Sequence, residues 1–165
     1  MADKDKQNKN KKTAMEVAAA YLANRMRTVA EMRQHLKDKE FGESEIDETV
    51  SDLIGLKYLD DYAYALRYYE YNTAKHRGSL RAMRELEEKG VDKQTIKFAL
   101  EDYLYEFKVD EYRMALEIAR KEEFDEIDDK LIAKVARKLD TRGFKRDDIF
   151  KVIGEMKRWD TKEFN

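Results

Sequence analysis

The stretch that decides the fold is "ELEEKGVDKQTIKFAL", residues Glu85–Leu100. A charged run with helical spacing ends at Gly90, and a second run follows with apolar residues four positions apart. Glycine lets a helix end in the left-handed conformation, and aspartate, here Asp92, is a preferred first cap of the next helix. The stretch therefore predicts two helices joined by a short turn, with Val91 filling the angle between them.

The same spacing occurs twice more in the chain. The copies are "HLKDKEFGESEIDETV" (His35–Val50) and "KLDTRGFKRDDIFKVI" (Lys138–Ile153), displaced from the first stretch by 50 and 53 residues. A period of this length is typical of stacked helical units. We expect the matched apolar residues to be core residues: Leu36, Phe41, Ile46 and Val50; Leu86, Val91, Ile96 and Leu100; Leu139, Phe144, Ile149 and Ile153.

The turn residues differ between the copies. Gly143 occupies the place of Gly90, whereas the first copy has Glu40 there and Gly42 two residues later. We therefore expect a different turn in the first copy. Ser44 is available there as the cap that Asp92 provides in the middle copy.

The repeat predicts an all-α fold of three tandem three-helix units that form an elongated, curved helical array. A further amphipathic segment precedes each pair of helices, at 14–25, 60–75 and 110–122. The predicted boundaries are a disordered basic tail at 1–12, repeats at 13–57, 58–106 and 107–159, and a C-terminal tail at 160–165.

Composition limits the class of protein. There is no proline, only six glycines and 42% charged residues, a mixture that favours long helices. The net charge of -2 gives no overall field for nucleic acid or membrane, so any such surface must be local. The chain has no cysteine, and its longest small-apolar run, "VAAAYLA" (Val17–Ala23), is too short to cross a bilayer. We expect a soluble, cytoplasmic monomer without a membrane partner.

Six of the ten tyrosines lie in "YLDDYAYALRYYEY", Tyr58–Tyr71. On a helical wheel the apolar and aromatic residues cover an arc of about 200°, wider than a single core stripe. This width favours a helix packed on two sides, with phenols that are mainly structural. The residues expected to share one side are Tyr58, Tyr62, Ala65, Leu66 and Tyr69, and Tyr64 and Tyr68 extend this side.

A basic segment follows the tyrosines. "YNTAKHRGSLRAMR" (Tyr71–Arg84) contains no acidic residue. Its Lys75, Arg77, Arg81 and Arg84, with Tyr71 as an aromatic contact, are the candidate binding residues. One interpretation is a solvated face whose arginines pair with the glutamates downstream. The other is a footprint for phosphates or an acidic partner.

The middle unit contains two distinctive blocks, "LDDYAYALRYY" (Leu59–Tyr69) and "GSLRAMRELEEKGVDKQTI" (Gly78–Ile96). These blocks, and the spacing between them, resemble the RecX family of bacterial regulators of the RecA recombinase. The likeness extends over about residues 14–156, where the outer units match as generic repeats. The matching positions are Leu59, Asp60, Asp61, Tyr64, Ala65 and Tyr68, then Gly78, Arg81, Glu85, Leu86, Lys89, Gly90 and Val91.

The resemblance implies a function in homologous recombination, DNA repair and the SOS response. The expected partner is RecA, bound in the groove of the RecA–DNA filament, with effects on ATPase activity, filament growth and strand exchange. The basic residues of 75–84 would make the contacts, and inhibition is the expected direction. Direct binding of single- or double-stranded DNA is expected to be weak, because Glu70 and Asn72 interrupt the basic track.

Two other functions stay open: a helix-turn-helix DNA-binding regulator, and a helical adaptor for another partner. No cofactor or catalytic residue is expected, since the chain lacks phosphate-binding and nucleophile motifs. Glu31 and His35 could form half of a metal site, but two histidines and no cysteine do not complete one. The acidic run 122–129 lacks the glycine of a calcium loop, and Asp128 or Asp129 is expected to cap a helix instead.

Overall fold

The computed structural model describes residues 12–123 and 126–159, which contain nine α-helices and no strand. The all-α prediction is confirmed. Both predicted tails, except Lys12, and two residues of the acidic run lie outside the described residues. The helices are α1 (Ala14–Leu22), α2 (Val29–Asp38), α3 (Glu43–Gly55), α4 (Asp61–Ala74), α5 (Ser79–Glu88), α6 (Lys93–Glu106), α7 (Glu111–Arg120), α8 (Asp129–Arg142) and α9 (Arg146–Trp159).

The packing of the helices follows their order in the chain. Helices α1, α2 and α3 all pack on one another, α5 packs on α6, and α7, α8 and α9 again pack on one another. The chain divides into two compact units, residues 1–64 with 89–91, and residues 65–88 with 92–165. The predicted repeat boundaries at 57/58 and 106/107 stay predictions.

The matched apolar positions form the cores. Leu36, Leu86 and Leu139 are completely buried. The exposed fraction is at most 6% for Ile46, Ile96, Ile149 and Phe144. The exceptions are Phe41 and Ile153, which are half-buried against the same clusters. The spacing thus identified the residues that hold each helix pair together.

The turn after α2 is the same as the turn after α8, so the expectation of a different turn at Glu40 is wrong. Glu40 has φ 63°, close to the 84° of Gly143. Both turns make the same two bonds: Glu40 N donates to Lys37 O (2.9 Å), and Phe41 N donates to Leu36 O (3.2 Å). These bonds satisfy the last carbonyls of the helix, which offsets the steric cost of a left-handed non-glycine residue.

Asp92 caps α6 as predicted, because its carboxylate accepts from Gln94 N (3.0 Å) and Thr95 N (2.9 Å). Ser44 is not a cap. Helix α3 begins after Gly42, which makes no side-chain cap bond, and the glutamates at 43 and 45 complement the helix dipole instead. Of the two candidates in the acidic run, Asp128 caps α8 by accepting from Leu131 N (2.7 Å).

Only part of the predicted arc of the tyrosine segment is buried. Helix α4 begins at Asp61, so Tyr58 lies outside it, and Tyr58 and Tyr62 are both exposed, contrary to the prediction. The buried residues of the predicted arc are Tyr64, Ala65 and Tyr69. Tyr69 Oη donates to Ile96 O (3.1 Å), and burial raises the pKa of this phenol. The buried phenols are therefore structural, while the exposed ones are not part of the core.

Candidate partner-binding surface

The predicted basic residues lie around the turn between α4 and α5. Helix α4 ends at Ala74, and the chain reverses through Lys75, the left-handed His76 (φ 52°) and Arg77. Lys75 is exposed and Arg77 is half-buried. Tyr71 lies on the last turn of α4, with the Lys75 ammonium nitrogen 5.8 Å from its ring centroid. Arg84 is exposed further along α5.

A buried asparagine fixes this turn from inside. Asn72 is 1% exposed, and its Nδ2 donates to Gly78 O (3.0 Å) while Arg77 N donates to Asn72 O (3.1 Å). Asn72 therefore does not interrupt a basic surface track, contrary to the sequence interpretation. Only Glu70 is an exposed interruption.

The α8–α9 turn packs directly on the α4–α5 turn. Gly78 N donates to Arg142 O (3.0 Å), and Leu80 N donates to Gly143 O (3.1 Å). A Cβ atom added to Gly78 would lie 2.2 Å from Gly143 O, a distance that real contacts do not reach. Only glycine at residue 78 allows the two backbones to approach this closely.

This packing brings Arg142 to the surface that the sequence had identified. Its guanidinium donates to His76 O (3.1 Å) and Lys75 O (3.5 Å), across 66 and 67 residues of chain. We define Lys75, His76, Arg77 and Arg142 as the basic turn cluster. The sequence analysis missed Arg142. The available signal was the repeat register, which aligns Arg142–Gly143 with Lys89–Gly90.

A carboxylate holds the start of α5 beside this cluster. Glu111 accepts from Ser79 N (2.5 Å) and from Ser79 Oγ (2.9 Å). Burial raises the pKa of Glu111 despite these two bonds and the nearby Lys145. These two hydrogen bonds fix the start of the α5 backbone, and with it the direction in which the basic residues on α5 point.

Arg81 has a structural role that the sequence did not reveal. Its Nε donates to Glu85 Oε1 (2.9 Å), and Tyr68 Oη donates to the other oxygen of Glu85 (2.6 Å). Burial alone would raise the pKa of Glu85, but these two bonds and the charge of Arg81 hold it below its usual value. A Cβ atom added to Gly143 would also lie only 2.4 Å from Arg81 Cβ and would collide with it. Arg81 is thus not a freely exposed cation, and replacing it would disturb the packing.

Elsewhere among the described residues, no group of His, Cys, Asp or Glu has the arrangement of a metal site. His35 stacks on Tyr21 with 3.8 Å between the ring centroids. Burial lowers the pKa of His35, as do the charges of Lys39 and Arg27. No helix within 12–123 or 126–159 is long and apolar enough to cross a membrane.

Comparison with known proteins finds one family. A family model described as "RecX, first three-helix domain" matches residues 14–53. The Regulatory protein RecX of Geobacillus kaustophilus is 32% identical over 146 residues, and the Regulatory protein RecX of Bacillus cytotoxicus is 32% identical over 145 residues. The chain is similar to the RecX family over most of its length.

The curated RecX relatives are longer than this chain. The aligned regions cover 87% and 85% of the chain but only 54% and 52% of those two relatives. The chain therefore spans about half the length of the RecX relatives it matches. The family model matches the first helical group, whereas the resemblance in sequence was clearest in the middle one.

Solved RecX structures share the fold. The crystal structure of RecX from Lactobacillus salivarius has a TM-score of 0.73 at 24% identity, covering 87% of this chain and 94% of that one. A second crystal structure, of a regulatory protein RecX, has a TM-score of 0.68 at 23% identity and covers 86% and 70%. At such identities the likeness supports the RecX fold and carries no residue roles.

Proposed function

We propose that this RecX-like chain binds the RecA–DNA filament in its groove and restrains its ATPase activity, growth and strand exchange. The observation that carries the proposal is a basic surface in the middle of a chain whose relatives are named regulatory proteins. The proposed agent is a monomer acting in the cytoplasm, and its effect requires binding rather than catalysis.

The chemistry of the surface suits an acidic partner. Lys75 and Arg84 are exposed, and neither forms an ion pair with any residue the structure describes. Arg142 is held by backbone carbonyls, which leave its positive charge uncompensated. Unpaired cations on a surface that also presents the half-exposed Tyr71 can gain charge-assisted hydrogen bonds from carboxylates or phosphates. Occupancy of the filament would then impede its growth.

Charge reversal tests the proposal. The triple substitution Lys75→Glu, Arg77→Glu and Arg84→Glu should abolish inhibition of RecA ATPase on single-stranded DNA, because each attraction becomes a repulsion. Arg81 is retained, since its pair with Glu85 is structural. The matched control, Lys93→Glu, Lys130→Glu and Lys157→Glu, has the same change in charge at exposed positions and should inhibit normally.

Circular dichroism should show both variants folded, because five of the six substituted side chains are exposed, Arg77 being half-buried, and exposed charges contribute little to stability. A folded triple variant that still inhibits fully would show that this surface is not the site. Binding of the wild-type chain to filaments should also weaken with salt, since the Debye length is about 10 Å at 0.1 M. Salt-independent binding would indicate an apolar interface. Tight duplex binding without RecA, lost in the triple variant, would favour the helix-turn-helix alternative.

A further inference from the structure

Helices α8 and α9 carry an excess of positive charge, which ion pairs with the described residues neutralise only in part. Residues 129–159 contain ten lysines and arginines against five aspartates and glutamates, although the whole chain has a net charge of -2. Lys134 and Lys138 pair with Glu122, and the other ion pairs there are Lys151–Asp148 and Arg158–Glu155. Several other cations of these two helices form no ion pair with any described residue.

Two of these cations line a shallow cavity between α8 and α9. Its volume is about 340 Å³, and it is lined by Ala136, Arg137, Asp140, Arg146, Ile149 and Phe150. We call it the α8–α9 dimple. Neither arginine forms an ion pair with any residue in the described part of the chain. The size is at the lower end for small-ligand sites.

An exposed aromatic ring stands at the dimple. Phe150 is 68% exposed, unusual for a phenylalanine on a helix that buries its Ile149 neighbour. Phe150 and Arg146 are four residues apart on α9, and Asp140 and Arg137 are three apart on α8. Residues at these spacings share a helix face. The dimple therefore presents one flat apolar surface, two guanidinium groups and one carboxylate to the same occupant.

This combination discriminates among anionic partners. An acidic peptide would satisfy the arginines, but its carboxylates offer Asp140 no hydrogen-bond donor and Phe150 no flat face. Duplex DNA would satisfy the arginines but keep its base faces stacked inside the helix. An unpaired nucleotide offers a π-face for Phe150, N–H donors for Asp140 and phosphates for the arginines.

We propose that the α8–α9 dimple binds single-stranded nucleic acid. One unpaired base stacks on Phe150, Asp140 accepts a hydrogen bond from the edge of that base, and Arg137 and Arg146 contact the flanking phosphates. Stacking of this kind is tolerant of sequence. The site is separate from the basic turn cluster and needs no RecA.

The test is the fluorescence anisotropy of a fluorescein-labelled 12-nucleotide single strand with the full chain, without RecA. Phe150→Ala should weaken binding about fivefold or more, because loss of one base–aromatic stack lowers affinity by that amount. Phe98→Ala is the matched control, since Phe98 is a similarly exposed phenylalanine on α6 and should bind normally. Equal affinity of the two variants would overturn the proposal.

The charged residues provide a second readout. Arg137→Gln with Arg146→Gln should reduce the slope of log affinity against log salt by about 1.4, because each single-strand phosphate contact contributes roughly 0.7. Lys130→Gln with Lys157→Gln lies on the same helices outside the dimple and should leave the slope unchanged. Asp140→Ala should weaken binding although it removes a negative charge. Stronger binding would mean that Asp140 only repels phosphates, which contradicts a bound base.

Three competitors distinguish the classes of partner. The wild-type chain should prefer the labelled strand to its duplex, to an abasic strand of equal length and to polyglutamate. If the abasic strand bound equally well, the site would recognise phosphates alone, and the proposed contact with a base would be wrong. Equal binding of polyglutamate would assign the dimple to an acidic peptide. None of these binding results tests the proposed action on RecA, which is tested separately by the RecA ATPase assay.

Discussion

At the scale of single residues, left-handed backbone alone does not require glycine in this chain. Within residues 12–123 and 126–159, four residues other than glycine have positive φ, namely Glu40, Lys57, His76 and Lys108. Gly90 and Gly143 differ because a neighbour comes close. A Cβ at Gly90 would lie 2.3 Å from Ala30 Cβ, and one at Gly143 would lie 2.4 Å from Arg81 Cβ. At these two turns any side chain would collide with a neighbouring residue, in addition to the strain of a positive φ.

Replacing Glu40 by glycine should therefore stabilise the chain. The left-handed conformation costs a non-glycine residue about 1–2 kcal/mol, part of which glycine loses again through its greater freedom when unfolded. We expect a net gain of about 0.5–1 kcal/mol in the free energy of unfolding, measured by urea denaturation. Gly90→Ala, the control, should be clearly destabilising. An unstable Glu40→Gly variant would contradict this account.

At the scale of helices, the same kind of contact joins two helix starts at two places in the chain. Val29 N, the first residue of α2, donates to Asp61 Oδ1 (2.9 Å) on the first residue of α4. Ser79 and Glu111 make the equivalent contact at the starts of α5 and α7, 50 residues further on. An amide at a helix start has no partner within its own helix, so a carboxylate there satisfies it and complements the dipole.

Glu111→Ala should destabilise by about 1–3 kcal/mol, because the buried Ser79 loses the acceptor of its donors. Glu111→Gln keeps an acceptor and should cost less. Because burial raises the pKa of Glu111, protonation favours the folded state. The stability of the wild-type chain relative to Glu111→Gln should therefore be highest below the ordinary glutamate pKa and fall as pH rises through the raised value. Urea denaturation at several pH values tests this, and a difference that grew with pH would contradict it.

At the scale of the whole molecule, the three matched leucines should be equally important. Leu36→Ala, Leu86→Ala and Leu139→Ala should each lower the free energy of unfolding by about 2–5 kcal/mol, because all three side chains are fully buried. Leu56→Ala is the control, since Leu56 is 63% exposed and the substitution should stay within about 0.5 kcal/mol of wild type. Thermal melts that leave all three core variants near wild type would show that the cores are assigned wrongly.

The sequence by itself determined the helical fold, the repeat and its buried anchors. These follow from short-range patterns: the spacing of Leu86, Ile96 and Leu100, the glycine at 90 and the cap at Asp92. Such features depend on helix geometry within a few residues, so they are visible without a structure. The basic segment and the RecX resemblance are visible for the same reason.

Only the tertiary structure decided how the candidate surface is composed. It buried Asn72, paired Arg81 with Glu85, exposed Tyr62 and added Arg142 to the basic turn cluster. Each of these outcomes depends on contacts across the surface or the core, up to 67 residues apart. Such contacts arise from the close packing of turns, which requires small residues at a few points and leaves no periodic pattern in the sequence.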